Sequence, residues 1–207
     1  MRLTPVRGVL PVSVGSAEAT SAELLSVLRR LRGPDRARDP GLEIAAAQAA
    51  ELAQRHDAGV VAVVEHPDAD PAVLVAGLVA VERVLTPEAA RELCFHLADA
   101  GGPGITELTS GQTARGYPAV IVERVPATGV GAQLQIVVPD PARPRIAVFT
   151  LHSPTGRGWL ELAGIAGRFV NGVEFTGPHL TGAGLAAGTR SAAAPPARGR
   201  PGRSASH

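Results

Sequence analysis

An α+β fold, a largely antiparallel sheet with helices on both faces, is predicted by three features of this 207-residue chain. Gln133-Leu-Gln-Ile-Val-Val138 alternates polar and apolar, as a strand with one face on a core must. Pro139-Asp-Pro-Ala-Arg-Pro144 then breaks the ladder, because proline has no N–H to donate. Trp159, Leu162, Ala163, Ala166, Phe169 and Val170 recur at helical spacing and give a stripe to lay on that sheet.

From the N-terminus, Val9–Val14 is apolar enough for a first strand. Thr20 with Glu23 matches a capping box, and Leu24, Val27, Leu28 and Leu31 continue as one helical face until Gly33-Pro34. A polar connection over 32–40 leads to a second helix, Gly41–Asp57, whose Leu42, Ala45, Ala46, Ala49, Leu52 and Ala53 share a side. The unbroken apolar run Gly59–Glu65 reads as a buried strand. After a turn over Pro67–Pro71, Val73–Leu85 reads as a long strand with a bulge at Gly77.

Thr86-Pro87-Glu88 combines a cap, a first-position proline and an acid at the positive end of the helix dipole. That helix carries Leu93, Cys94 and Leu97 on its apolar side and stops at Gly101-Gly-Pro-Gly104. Ile105–Thr109 is a short strand before a turn over 111–116, and Tyr117–Val125 and Arg145–Leu151 are further strands. Ser153-Pro154 is expected to cap the last helix, Asn171-Gly172 to end it, and Val173-Glu-Phe175 to close the fold as a short strand.

Hydrophobic residues make up 45% of the chain and aromatic ones only 3%, so the core must be built of Ala, Val and Leu. Residues 1–180 carry 16 Arg against 19 acids, whereas 181–207 carry four Arg and no acid. The expected organisation is therefore one domain over 1–180 and a disordered Ala/Gly/Pro/Arg-rich tail over 181–207, where no apolar periodicity survives to offset ordering entropy. The apolar runs are too short and interrupted for a membrane span, no signal-peptide core follows Arg2 and Arg7, and the one cysteine fits a reducing compartment. A cytoplasmic location is the expectation.

All 20 basic residues are Arg. Schiff-base catalysis, pyridoxal phosphate anchoring, the P-loop and protein kinase chemistry each use a lysine, and the sequence excludes them.

The remaining candidates have plainer readings beside them. His152-Ser153 sits at a strand-to-helix junction, where a hydrolase elbow would lie, but Leu151 occupies the place that elbow gives to glycine. Glu65-His66-Pro67-Asp68-Ala69-Asp70 gathers metal-ligand types in a turn, without the glycine and distal glutamate of a calcium loop or a zinc ligand set. Cys94 and His96 point to different helix faces, and His56-Asp57 ends a helix where an imidazole suits the dipole. Gly182, Gly184 and Gly188 miss the dinucleotide-binding spacing. Arg198, Arg200 and Arg203 have no aromatic residues among them for base stacking, so a solubilising tail is expected before nucleic-acid binding. No catalytic residue, cofactor or metal is assigned.

The order of elements resembles the Mog1/PsbP-like α/β/α sandwich and, more narrowly, small uncharacterised proteins of that fold from high-G+C bacteria. The likeness rests on Ala49-Ala-Glu-Leu-Ala-Gln-Arg-His-Asp-Ala-Gly59, Gly116-Tyr-Pro-Ala-Val-Ile-Val122, Leu151-His-Ser-Pro154 with the following helix, and Val173-Glu-Phe175, across residues 3–175. It implies a non-catalytic binding or assembly protein. The Leu-Pro-x-x-Trp opening common in the bacterial group survives only as Val9-Leu10-Pro11, without the tryptophan, so no functional residue is carried over. The function expected is binding of another protein. The alternative is a small-molecule site or weak hydrolase at Ser153 with His152 and an acid.

Overall fold

The computed structural model describes residues 1–33, 39–89, 92, 104–125 and 131–176. In chain order the elements are β1 (Val9–Val12), α1 (Ala17–Arg32), α2 (Pro40–Arg55), β2 (Val60–Val64) and β3 (Ala72–Ala80). They are followed by β4 (Ile105–Gln112), β5 (Pro118–Arg124), β6 (Ala132–Pro139), β7 (Arg145–Ser153) and α3 (Trp159–Asn171). One seven-stranded sheet runs in the order β1-β2-β3-β7-β6-β5-β4, and every neighbouring pair is antiparallel.

Alternation along the strands feeds two cores. Val61, Val63, Val73 and Val75 turn to α1 and α2, meeting Leu24, Leu28, Leu42, Ala46 and Ala53. Their neighbours Ala62, Val64, Leu74 and Ala76 turn the other way, with Leu134, Ile136, Phe149 and Leu151, against Leu162, Ile165, Ala166 and Phe169 of α3. Helices thus cover both faces. Each fully buried Leu or Val contributes about 1.5–3 kcal/mol, so a core poor in aromatics is still substantial. The aromatic residues it has are paired: the rings of Phe149 and Phe169 meet edge-on at 6.3 Å, and Tyr117 lies 5.3 Å from Phe175. Val120, Val122 and Val137 form a third cluster, on the α1/α2 side by their parity.

Several boundaries differ from the sequence expectation, each for a local reason. α1 is capped by Ser16, whose hydroxyl accepts from the Ala19 N–H, and not by Thr20, which lies a turn inside the helix. β3 stops at Ala80 and does not reach Leu85. Its partner β7 begins at Arg145, so the last rung is Val81 N–H to Pro144 O at 2.9 Å. Gly77 sits in unbroken register and is not a bulge. A Cβ there would press on Ala58 Cα at 3.3 Å, so the glycine admits the loop leaving α2. The irregularity lies instead in β4, between Ile105 and Glu107, and that strand runs on to Gln112.

β6 includes Pro139, and the turn after it is held by the buried Asp140. Its Oδ1 accepts from the Ala142 N–H at 2.9 Å and its Oδ2 from Arg145 Nε at 2.7 Å. The closing segment at 173–175 is a single antiparallel bridge, Arg2 to Glu174. Thr86 caps a helical turn at 87–89, accepting from the Ala89 N–H. Apart from Glu92, the rest of that expected helix, with Cys94 and His96, lies outside the described residues, as do Gly182, Gly184, Gly188, Arg198, Arg200 and Arg203. No helix among the described residues is long and apolar enough to cross a membrane.

Candidate binding sites at the ends and edge of the sheet

The two segments singled out in the sequence, 65–70 and 152–156, meet in space. Asp70 is 6% exposed, and its Oδ2 accepts from Thr155 Oγ1 at 2.9 Å and lies 2.9 Å from Arg32 Nη1. Its Oδ1 is 3.4 Å from Arg157 Nη1, and its own N–H donates to Arg157 O. One carboxylate therefore ties the end of α1, the β2–β3 turn and the β7–α3 loop together. Gly158, at φ 69°, lets that loop lie against Asp68 and Ala69. Sequence spacing gave no hint of Arg32, Thr155 or Arg157, because the contacts to the last two span more than 80 positions.

Ser153 and His152 do not form a reacting pair. Ser153 is fully buried on the α3 side, where its Oγ accepts from the Gly156 N–H at 3.1 Å. The expectation that it caps the final helix is corrected. It caps the turn leaving β7, and the N-cap of α3 is Gly158, in left-handed geometry and without a side-chain hydrogen bond. His152, one residue earlier on the same strand, projects to the α2 side. Burial pushes its pKa below the usual 6.5, which keeps the imidazole neutral at pH 7. There it lines a cleft of about 430 Å³ with Thr150, Gln133, Leu52 and Arg55.

The metal-ligand types of the β2–β3 turn do not converge. His66 Nδ1 accepts from the Asp68 N–H at 3.3 Å, while Asp70 faces the arginines. Among the described residues no group of three or more His, Cys, Asp or Glu is placed to hold a metal ion. His56 caps α2 through its backbone, and Asp57 follows at φ 46° to turn the chain into β2.

A larger cleft of about 800 Å³ opens beside this turn, between the segment before β1 and α3. Val6, Leu31, Pro71 and Ile165 supply apolar walls; Arg7, His66, Arg168 and Glu65 supply polar ones.

The two margins of the sheet are unlike. β1 has four residues and contains Pro11, which blunts its free edge. β4 has eight, and beyond the irregularity at its start carries no proline and only one charge, Glu107. Thr113 N–H donates to Tyr117 O, so the chain faces β5 at that residue. Gly111, Thr109 and Glu107 face the same way, and the alternate residues Leu108, Ser110 and Gln112 turn their N–H and C=O outward, where no strand pairs with them among the described residues.

No family model matches this chain, and no curated protein matches it significantly.

Proposed function

We propose that this protein is a non-catalytic binding domain of the Mog1/PsbP-like kind, an adaptor or assembly module whose partner is another protein. The observation that carries the reading is the outer edge of β4. A row of backbone donors and acceptors, rich in Thr and Ser and poor in the usual edge protection, is a template for an added strand. Half-buried Ile105 and Leu108 stand beside polar, exposed neighbours, so an arriving strand would gain ladder bonds first and side-chain selectivity second.

A reaction at Ser153 has no support in the geometry, since the hydroxyl is buried on the opposite side of the sheet from His152.

The test is Ser110→Pro. Proline removes an outward N–H without touching the β4–β5 ladder, and edge positions tolerate it. The full chain and this variant serve as bait in a lysate of the native host. A protein retained by the wild type and lost by the variant, at unchanged Tm, supports strand addition. Equal recovery by both, or no specific partner at all, rejects it.

A further inference from the structure

We infer that the cleft between the segment before β1, the β2–β3 turn and α3 is a binding site for a monoanionic carboxylate attached to a compact apolar group. This site is separate from the β4 edge, and either proposal can fail without the other.

The cleft has the size of a small-molecule site, about 800 Å³, inside the range of roughly 300–1,000 Å³ that such sites occupy. Its shape follows from a close backbone approach. Gly8, at φ 90°, passes so near Glu65 O and Ile165 that a Cβ there would stand 2.8 Å from the former and 3.1 Å from the latter's Cδ1. The Gly8 O accepts from the Glu65 N–H at 2.8 Å, which fixes the segment before β1 as one wall. Val6, Leu31, Pro71 and Ile165 give apolar surface for the body of a ligand.

The charge of the walls selects the head group. Arg7 and Arg168 line the cleft from two different elements, and among the described residues neither guanidinium has a carboxylate or hydrogen-bond partner. Arg29, Arg32, Arg115, Arg145 and Arg157 are each paired with an acid, and what sets Arg7 and Arg168 apart from the other unpaired arginines is the cleft they share. A guanidinium fork matches a carboxylate geometrically, and two arginines lining one cleft of mixed polar and apolar walls leave donors for one. Glu65 offsets one of the two positive charges, so the walls balance a monoanion and disfavour a dianion such as a phosphate ester. His66, whose Nδ1 accepts from the Asp68 N–H and whose ring proton therefore sits on Nε2, adds a donor to the same wall.

Two sources offer this chemistry: a free organic acid, and the C-terminal residue of a polypeptide. Isothermal titration of the full chain at low salt distinguishes them, with 4-phenylbutyrate for the first and N-acetyl-leucine for the second. 4-Phenylbutanol and N-acetyl-leucinamide are the uncharged counterparts. Saturable binding of either acid, with its counterpart at least about tenfold weaker, is the expected result. Arg7→Gln and Arg168→Gln should each weaken that acid roughly threefold to fivefold, the scale of a partly exposed ion pair, and raising the salt should weaken it further. Both side chains are exposed and unpaired, so an unchanged Tm is expected of both variants. No saturable heat with either acid at millimolar concentration overturns the proposal. So does equal binding of acid and counterpart, or affinity unmoved in the doubly substituted chain.

Discussion

Arg32 Nη1 and Asp70 Oδ2 stand 2.9 Å apart, with side chains 4% and 9% exposed, so the end of α1 and the start of β3 are joined by an ion pair removed from solvent. Among the described residues Arg32 Nε and Nη2 have no hydrogen-bond partner, and Asp39 Oδ2 lies 4.0 Å from Nη2. Such a pair stabilises little when intact, because desolvation of both ions offsets their attraction.

Breaking it from one side is another matter. Asp70→Ala strands a buried guanidinium and should cost about 3–5 kcal/mol in urea unfolding. Arg32→Met in the same background should recover much of that loss, because no uncompensated charge then remains buried. A double variant as unstable as the sum of the two single ones would contradict the pairing.

Gly158→Ala should destabilise by about 2–4 kcal/mol, from left-handed strain and overpacking together. The added Cβ would collide with Ala69 and stand 2.9 Å from Asp68 O. A thermal scan in which this variant melts with the wild type would show that the β7–α3 loop does not lie on the β2–β3 turn as described. Gly116→Ala is the control: it also has positive φ, at 77°, but nothing within 4 Å, so it should show the strain without the collision.

His152 gives a pH dependence of defined sign. Burial lowers its pKa in the folded protein below the unfolded value near 6.5, so across that interval the unfolded chain binds more protons. The contribution to stability is intact above pH 6.5 and declines as the pH falls below it, levelling off only beneath the folded value. His152→Gln cannot take up that proton. Its unfolding free energy should therefore drop less than that of the wild type between pH 7 and 5, and parallel profiles would exclude the assignment.

The start of α1 can be dissected by two substitutions. Ser16→Ala removes the cap and should cost about 1 kcal/mol. Thr20, 1% exposed, donates to Ser13 O and accepts from the Gly15 N–H at 3.0 Å. Thr20→Val leaves both groups without that partner and should cost about 1–3 kcal/mol, by chemical denaturation. If Ser16→Ala proves the more damaging, Thr20 has the weaker role.

These residues also mark where the sequence was legible. The layers were readable because a sheet buried on both faces needs β-branched runs, and Val60–Val64 and Ala72–Ala80 supply them. The stripe from Leu162 to Val170 placed α3 for the same reason. Capping was read less well. Thr20 and Ser153 both have the chemistry of a cap, but each hydroxyl serves a neighbouring turn, Thr20 the segment leading into α1 and Ser153 the turn leaving β7. The bulge moved from Gly77 to Ile105–Glu107, since a glycine inside a strand signals either irregularity or close approach, and only coordinates tell which. The walls of the larger cleft were invisible in one dimension. Arg7 and Arg168 are ordinary surface residues, and His66 only a candidate ligand in a turn, until the fold places the three around one cleft.

The order of strands has a kinetic corollary. β1, β2 and β3 pair with one another, and β4 to β7 form an uninterrupted meander, so the two halves touch in the sheet only where β3 meets β7. That seam joins Val73 to His152, nearly eighty positions apart, and closing it must bear the loop entropy of everything between. On a ribosome, the apolar flank of β3 waits unzipped until the last strand has emerged, making this seam the slow step and the stretch most open to mispairing.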